Sequence, residues 1–177
     1  MTTLKDLTWE KHKEAESQPF IKSIFENRVD TNKYIDYLYQ LRLIYSVMEN
    51  HADRLNLFEG IEDIKRTKAI TLDFAELANG NQGSYRMNLA TKEYLQYLDT
   101  IRTDQDKLMA HIYVRHMGDL FGGQALAKLL PGPNNMFKFD NIPHLVKNMR
   151  DRINISMAEE ANKAFDFNIN LIKEYNE

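Results

Sequence analysis

The chain has 177 residues, 43% of them hydrophobic, which is enough for one domain with a real core and too little for two. It contains no cysteine, which excludes a disulfide framework, a thiolate metal site and a catalytic thiol, and fits a soluble chain in a reducing cytoplasm. The formal net charge of −3 excludes a globally basic nucleic-acid binder, and neither a signal-like N-terminus nor a run approaching about 18 apolar residues marks a targeting segment or a membrane span.

Seven glycines, four prolines and long stretches of helical periodicity with almost no alternation predict an all-α chain, one domain over residues 1–177. Thr2 or Thr3 caps a first helix, about Thr3 to Ser17, with Leu4, Leu7, Thr8, His12 and Ala15 as its apolar and special positions. Pro19 opens a short helix to about Asn27. Thr31 caps a long one to about Leu57, with Tyr34, Ile35, Leu38, Leu41, Tyr45 and Met48 as its inner stripe. A further helix spans about Ile61 to Ala78 and ends at the loop Asn79 to Ser84. Thr91 caps a helix through Tyr94, Leu98 and Ile101, and Thr103-Asp104 restarts the chain into a long central helix that Pro131 terminates. After Pro143 two helical pieces remain, about His144 to Ile155 and Met157 to Tyr175.

The central helix is the informative one. Ile112, Met117, Leu120, Phe121, Leu126, Leu129 and Leu130 give it apolar positions at helical spacing, yet it carries Gly118, Gly122 and Gly123 inside. Each glycine costs a helix about 1 kcal/mol against alanine. Two uses offset that cost: a close crossing of helices, or a large flat ligand laid on bare backbone. Arg115, Gly118, Asp119 and Gly122, spaced by three and four, share one face. Asp119 there is either an acid–base group held near Arg115 or half of an ordinary surface pair with it.

His12 has Glu16 one turn on, where a carboxylate fixes the tautomer of a metal-binding imidazole, or simply makes a His/Glu pair. Lys5 lies two turns earlier on the same face. One histidine on one helix and a glycine-opened face on another describe the two sides of a haem sandwich. His51, His111, His116 and His144 have no close metal-ligand spacing, and His111 and His116 diverge around their helix. Near the C-terminus Lys147, Arg150 and Arg152 form a basic cluster, with Phe165, Phe167, Ile169 and Ile172 as an apolar face behind it.

Four stretches, Thr8–Glu16, Leu43–Glu49, Ala110–Gln124 and Glu160–Ile169, resemble the biliverdin-producing haem oxygenases in order and spacing, the third through Tyr113-x-Arg115-x-x-Gly118-Asp119-x-x-Gly122-Gly123-Gln124. The resemblance implies a helical bundle with haem between a proximal N-terminal helix and a glycine-kinked distal helix. His12 is then the proximal iron ligand and Glu16 its partner. Gly118 and Gly122 are the distal backbone contacts, while Asp119 and Arg115 organise the water that delivers protons. Lys5, Tyr113 and Arg150 match positions that hold the propionates, and Phe165 an aromatic wall. It further implies that haem is both cofactor and substrate, opened with O2 to biliverdin, expected as the IXα isomer, with release of CO and iron.

No dinucleotide fingerprint is present, so the reductant is external. A ferredoxin-like acidic donor is expected on Lys11, Lys13, Lys147, Arg150, Arg152 and Lys128, and a biliverdin-consuming reductase is a further partner. Three departures stand out. Val146 lies where the family usually has a basic residue, with Lys147 displaced by one. Arg42 falls where many relatives carry a distal tyrosine, and the chain is short between Leu57 and Thr91. The alternatives are a haem carrier or sensor on the same scaffold, and a helical bundle that binds no haem.

Overall fold

Capping chemistry sets the element boundaries in the computed structural model, which describes residues 1–177. Helix α1 (Leu4–Glu16) opens with a reciprocal cap: the Asp6 N–H donates to Thr3 Oγ1 at 3.2 Å and the Thr3 N–H to Asp6 Oδ2 at 2.9 Å. Helix α2 (Pro19–Phe25) starts at its proline, whose missing N–H costs nothing there. Helix α3 (Thr31–Arg54) is capped by Asp30 rather than Thr31, the carboxylate accepting from the Asn32 and Lys33 N–H groups. Helices α4 (Thr67–Ala78), α5 (Leu89–Thr100), α6 (Gln105–Leu126), α7 (Ile142–Arg152) and α8 (Ala158–Lys173) follow, with no strand. Asn88, not Thr91, caps α5; the Thr91 N–H donates to it at 2.9 Å and the Thr91 side chain is buried. Asp104 caps α6.

Two boundaries differ from local expectation for long-range reasons. The segment expected to be helical from Ile61 breaks into a 3-10 turn (Glu62–Ile64) before α4. Buried Glu49 of α3 caps α4 from outside, accepting the Arg66 N–H at 2.6 Å, the Thr67 N–H at 3.1 Å and the Thr67 hydroxyl at 2.6 Å. The central helix ends at Leu126, four residues early, because the Asn134 amide takes the Ala127 and Leu130 carbonyls at 3.1 and 2.9 Å. Asn27, Asn56, Asn79, Asn134 and Asn141 all stand at positive φ, so asparagine does most of the turning that glycine performs elsewhere.

The predicted inner stripe of α3, Tyr34 through Met48, is buried throughout. Helix α6 is buried nearly all round from Leu108 to Met117, whereas Phe121, expected among its inward positions, is 57% exposed. Burial favours the neutral form of His111, so its Nε2–H donates to Glu160 at 2.7 Å and its Nδ1 accepts from the Tyr94 hydroxyl at 2.6 Å. His116 faces the other way, 2.7 Å from Glu49. His111 thus ties α6 to α5 and α8, and His116 ties it to α3 through the same Glu49 that caps α4. Helices α1 and α6 each pack on α8, which spaces them apart. No helix is long and apolar enough to cross a membrane.

Candidate functional site

Between α1 and α6, floored by α8 and closed at the sides by α2 and α3, lies a mostly apolar cavity of about 650 Å³, a size suited to a cofactor or drug-sized ligand. Lys5, His12, Glu16, Tyr113, Arg115, Gly118, Asp119, Gly122, Arg150 and Phe165 all stand on its wall.

On the α1 side, His12 Nε2 is 2.8 Å from Glu16 Oε1. Its Nδ1 makes no hydrogen bond, and the side chain is 40% exposed. A carboxylate on one ring nitrogen leaves the other without a protein partner, so the imidazole could take a metal there.

On the α6 side, the three glycines separate by function. A Cβ at Gly118 or Gly122 would meet nothing within 4 Å, whereas one at Gly123 would lie 2.2 Å from Phe137 Cδ1. The three glycines of one helix are therefore not equivalent. Gly123 permits the close approach of the Asn135–Phe137 turn, which seals the cavity end, and Gly118 and Gly122 leave bare backbone facing open space. The α-helix runs unbroken through all three.

Arg115 and Asp119 do not form the ion pair that their spacing allows. The Tyr45 hydroxyl donates to Asp119 Oδ2 at 2.5 Å and also lies 3.4 Å from the Arg115 carbonyl. The guanidinium carbon of Arg115 sits 5.5 Å from the Tyr45 ring centroid. Burial pushes the Asp119 carboxyl up from its ordinary value, against the opposing pull of Arg115 and the Tyr45 hydroxyl. Arg115 Nε, Tyr34 Oη and Asn168 Oδ1 are buried without any partner, and all three residues line the cavity. An unsatisfied buried polar atom costs about 1–3 kcal/mol, so three around one cavity mark a place for water or for polar groups of a ligand.

Sequence reading missed Tyr45 as a site residue because its helical spacing marks it as core, which it also is. Arg42 does not take a distal role: its guanidinium stacks on Tyr39 and Phe74, 5.2 and 5.3 Å from their centroids, away from the cavity. The hydroxyl that reaches Asp119 comes instead from Tyr45, one turn on. The C-terminal basic cluster also separates. Arg150 reaches the cavity, Lys147 lies 3.6 Å from Asp151, and Arg152 donates to the carbonyls of Leu57 and Glu59. Lys11 and Lys13 are engaged too, with Asp166 at 2.7 Å and Glu10 at 2.9 Å, so the expected donor surface is no continuous patch of free cations. Phe167 does not back Phe165: two residues on, it stacks on Tyr94 at 4.6 Å, on a different side of α8.

A flat macrocycle with two carboxylates and a central metal fits these residues. It would have an imidazole on one side, bare backbone on the other, apolar walls, and Lys5 and Arg150 as cations. The sequence model of the family described as "Heme oxygenase" matches residues 1–174. The chain belongs to the haem oxygenase family. It is 28% identical to heme oxygenase 2 of Oryctolagus cuniculus over 97% of its own length, and spans 64% of that protein. It is 27% identical to the heme oxygenase of Guillardia theta, of which it covers 84%. Among solved structures, the haem oxygenase of Leptospira interrogans superposes with a TM-score of 0.86 at 27% identity, covering 97% of each chain. Heme oxygenase-1 of Synechocystis, determined in complex with heme, shares the haem oxygenase fold with a TM-score of 0.87 at 24% identity over 97% of this chain and 89% of that one.

Proposed function

We propose that this chain binds haem as its substrate between α1 and α6 and opens the macrocycle to biliverdin, releasing CO and iron, with O2 and external electrons. One observation carries the reading: Gly118 and Gly122 leave open backbone on the cavity that His12 enters, with a tyrosine-held carboxyl beside them. The substrate brings its own iron and the meso carbon that is attacked; positioning and proton management fall to the chain.

His12, steadied by Glu16, is the axial ligand, and Lys5, Tyr113 and Arg150 hold the propionates. Gly118 and Gly122 let the ring lie close to α6 without a side chain in the way. Phe165 walls the pocket. Asp119, whose carboxyl burial raises against the pull of Arg115 and the Tyr45 hydroxyl, orders water with those two residues and passes protons through its carboxyl oxygens. With Arg150 holding a propionate, this reading takes the IXα isomer as the product. Electrons come in this reading from a ferredoxin-like acidic donor, drawn by exposed cations such as Lys128 and Lys147. A biliverdin-consuming reductase takes the product, and the cytoplasm supplies the reducing setting.

The test is a single turnover of stoichiometric hemin with ascorbate under O2, with the pigment identified by chromatography. The wild-type chain is expected to yield biliverdin, and Asp119→Ala to retain hemin without yielding it. An equal rate in the variant would remove Asp119 from the chemistry, and bound hemin that never opens in the wild type would leave a carrier rather than an enzyme.

A further inference from the structure

Trp9 is the chain's only tryptophan, and nothing in the chemistry above uses it. It stands three residues before His12 on the same face of α1, and its indole lies nearly parallel to the imidazole, with centroids 5.1 Å apart and planes 11° from each other. Phe165 of α8 meets the same imidazole almost perpendicularly, at 6.0 Å and 81°. Glu16 occupies one ring nitrogen. The His12 ring is thus bounded by a stacked face, an aromatic edge and a carboxylate, which together restrict rotation about its Cβ–Cγ bond.

The stack continues outward. The Lys5 ammonium lies 5.9 Å from the centre of the Trp9 ring, within reach of a cation–π contact. Lys5, Trp9, His12 and Glu16 thus form one column along α1: cation, indole, imidazole, carboxylate. Trp9 stands on the cavity wall and remains 43% exposed, so core burial does not account for its presence.

We propose that Trp9 is a positioning residue that fixes the ring plane of His12, and with it the direction in which the imidazole meets the substrate. The proposal rests on His12 being the axial ligand. It is separable from that reading because the stack exists in the protein without haem. Two roles for Trp9 are distinguishable: orienting His12, which acts before any ligand arrives, or merely touching the substrate at the rim.

The experiment compares wild type, Trp9→Leu and Trp9→Phe, with thermal midpoints confirming that all three fold alike. In the apoprotein, the His12 ring protons, assigned by their loss in His12→Ala, are followed by NMR. Indole stacking shifts them upfield in the wild type, the shift persists in part in Trp9→Phe, and it disappears in Trp9→Leu. Hemin release to an excess of apomyoglobin is then roughly three- to tenfold faster for Trp9→Leu, the worth of one aromatic pair, and largely restored by Trp9→Phe. Unmoved His12 resonances in Trp9→Leu overturn the proposal, even if release quickens, because Trp9 would then be a wall contact only. Equal release rates with a lost shift also overturn it, since the orientation would not matter to the ligand. Failure of the wild-type chain to take up hemin overturns the proposed function instead, and the apoprotein shifts still decide whether Trp9 orients His12.

Discussion

Replacing Gly118 and Gly123 with alanine, one at a time, should move the stability of the apoprotein in opposite directions. At 118 the new methyl meets nothing within 4 Å, so the substitution brings the full helix-propensity gain of about 1 kcal/mol. For a chain of this size that raises the thermal midpoint by about 2–4 °C. At 123 the methyl would sit 2.2 Å from Phe137 Cδ1 and 3.0 Å from two further ring atoms, and Phe137 is itself buried. Overpacking against a buried ring at that distance falls toward the upper end of about 1–3 kcal/mol, which outweighs the same propensity gain and leaves a net loss of up to about 2 kcal/mol. Urea unfolding of the apoproteins measures both, and hemin titration measures the other side of the exchange. The Gly118→Ala methyl points into the cavity, so the variant that is more stable without ligand should bind hemin more weakly. If Gly118→Ala destabilises the apoprotein, the residue is packing against protein and the open face does not exist. If it stabilises the chain and leaves hemin affinity untouched, the ligand does not lie on that face.

Tyr45→Phe removes the hydroxyl donating to Asp119, a bond to an ionisable group worth about 1.5–3 kcal/mol. Single-turnover ring opening should slow at least about tenfold with hemin affinity nearly unchanged, and an unaltered rate would show that the tyrosine holds nothing the reaction needs. Glu49 would be raised by burial, but His116, the Thr67 hydroxyl and the Arg66 N–H together hold it at about 2, below its ordinary 4.5. Because its folded value is depressed, the stability it contributes is present above pH 4.5 and lost as pH falls from 4.5 toward 2. The amount is about 3 kcal/mol. Glu49→Gln should therefore be less stable at pH 7 and show a flatter acid limb in urea unfolding, and parallel curves for the two proteins would refute this. Charge reversal at Arg150 should weaken hemin binding, an effect diminished in high salt; equal affinity would move the propionates elsewhere.

Much of this architecture was readable because its signals are local. The α3 stripe is a 3.6-residue pattern, Pro19 is a first-turn proline, and Arg115, Gly118, Asp119 and Gly122 share a face by spacing alone. What escaped is what depends on a distant residue. Nothing near Arg66 announces that a carboxylate from α3 caps α4, and nothing near Leu126 announces that Asn134 takes the carbonyls of Ala127 and Leu130 just beyond α6. The same reason hid Tyr45, whose spacing reads as core and whose hydroxyl acquires a purpose only when α6 brings Asp119 to it. Glycine spacing alone left Gly118, Gly122 and Gly123 equivalent. Only the position of Phe137 separates the packed glycine from the two open ones.

The claim on which the rest depends is that His12 and the bare backbone of α6 face the same porphyrin. Titration of hemin into the apoprotein, read in the Soret region for wild type and His12→Ala, tests it most directly. The account predicts saturation at about one hemin per chain with a six-coordinate resting spectrum in the wild type, and weaker binding without that spectrum in the variant. A Soret band in His12→Ala indistinguishable from the wild type would mean that the iron is held by another residue.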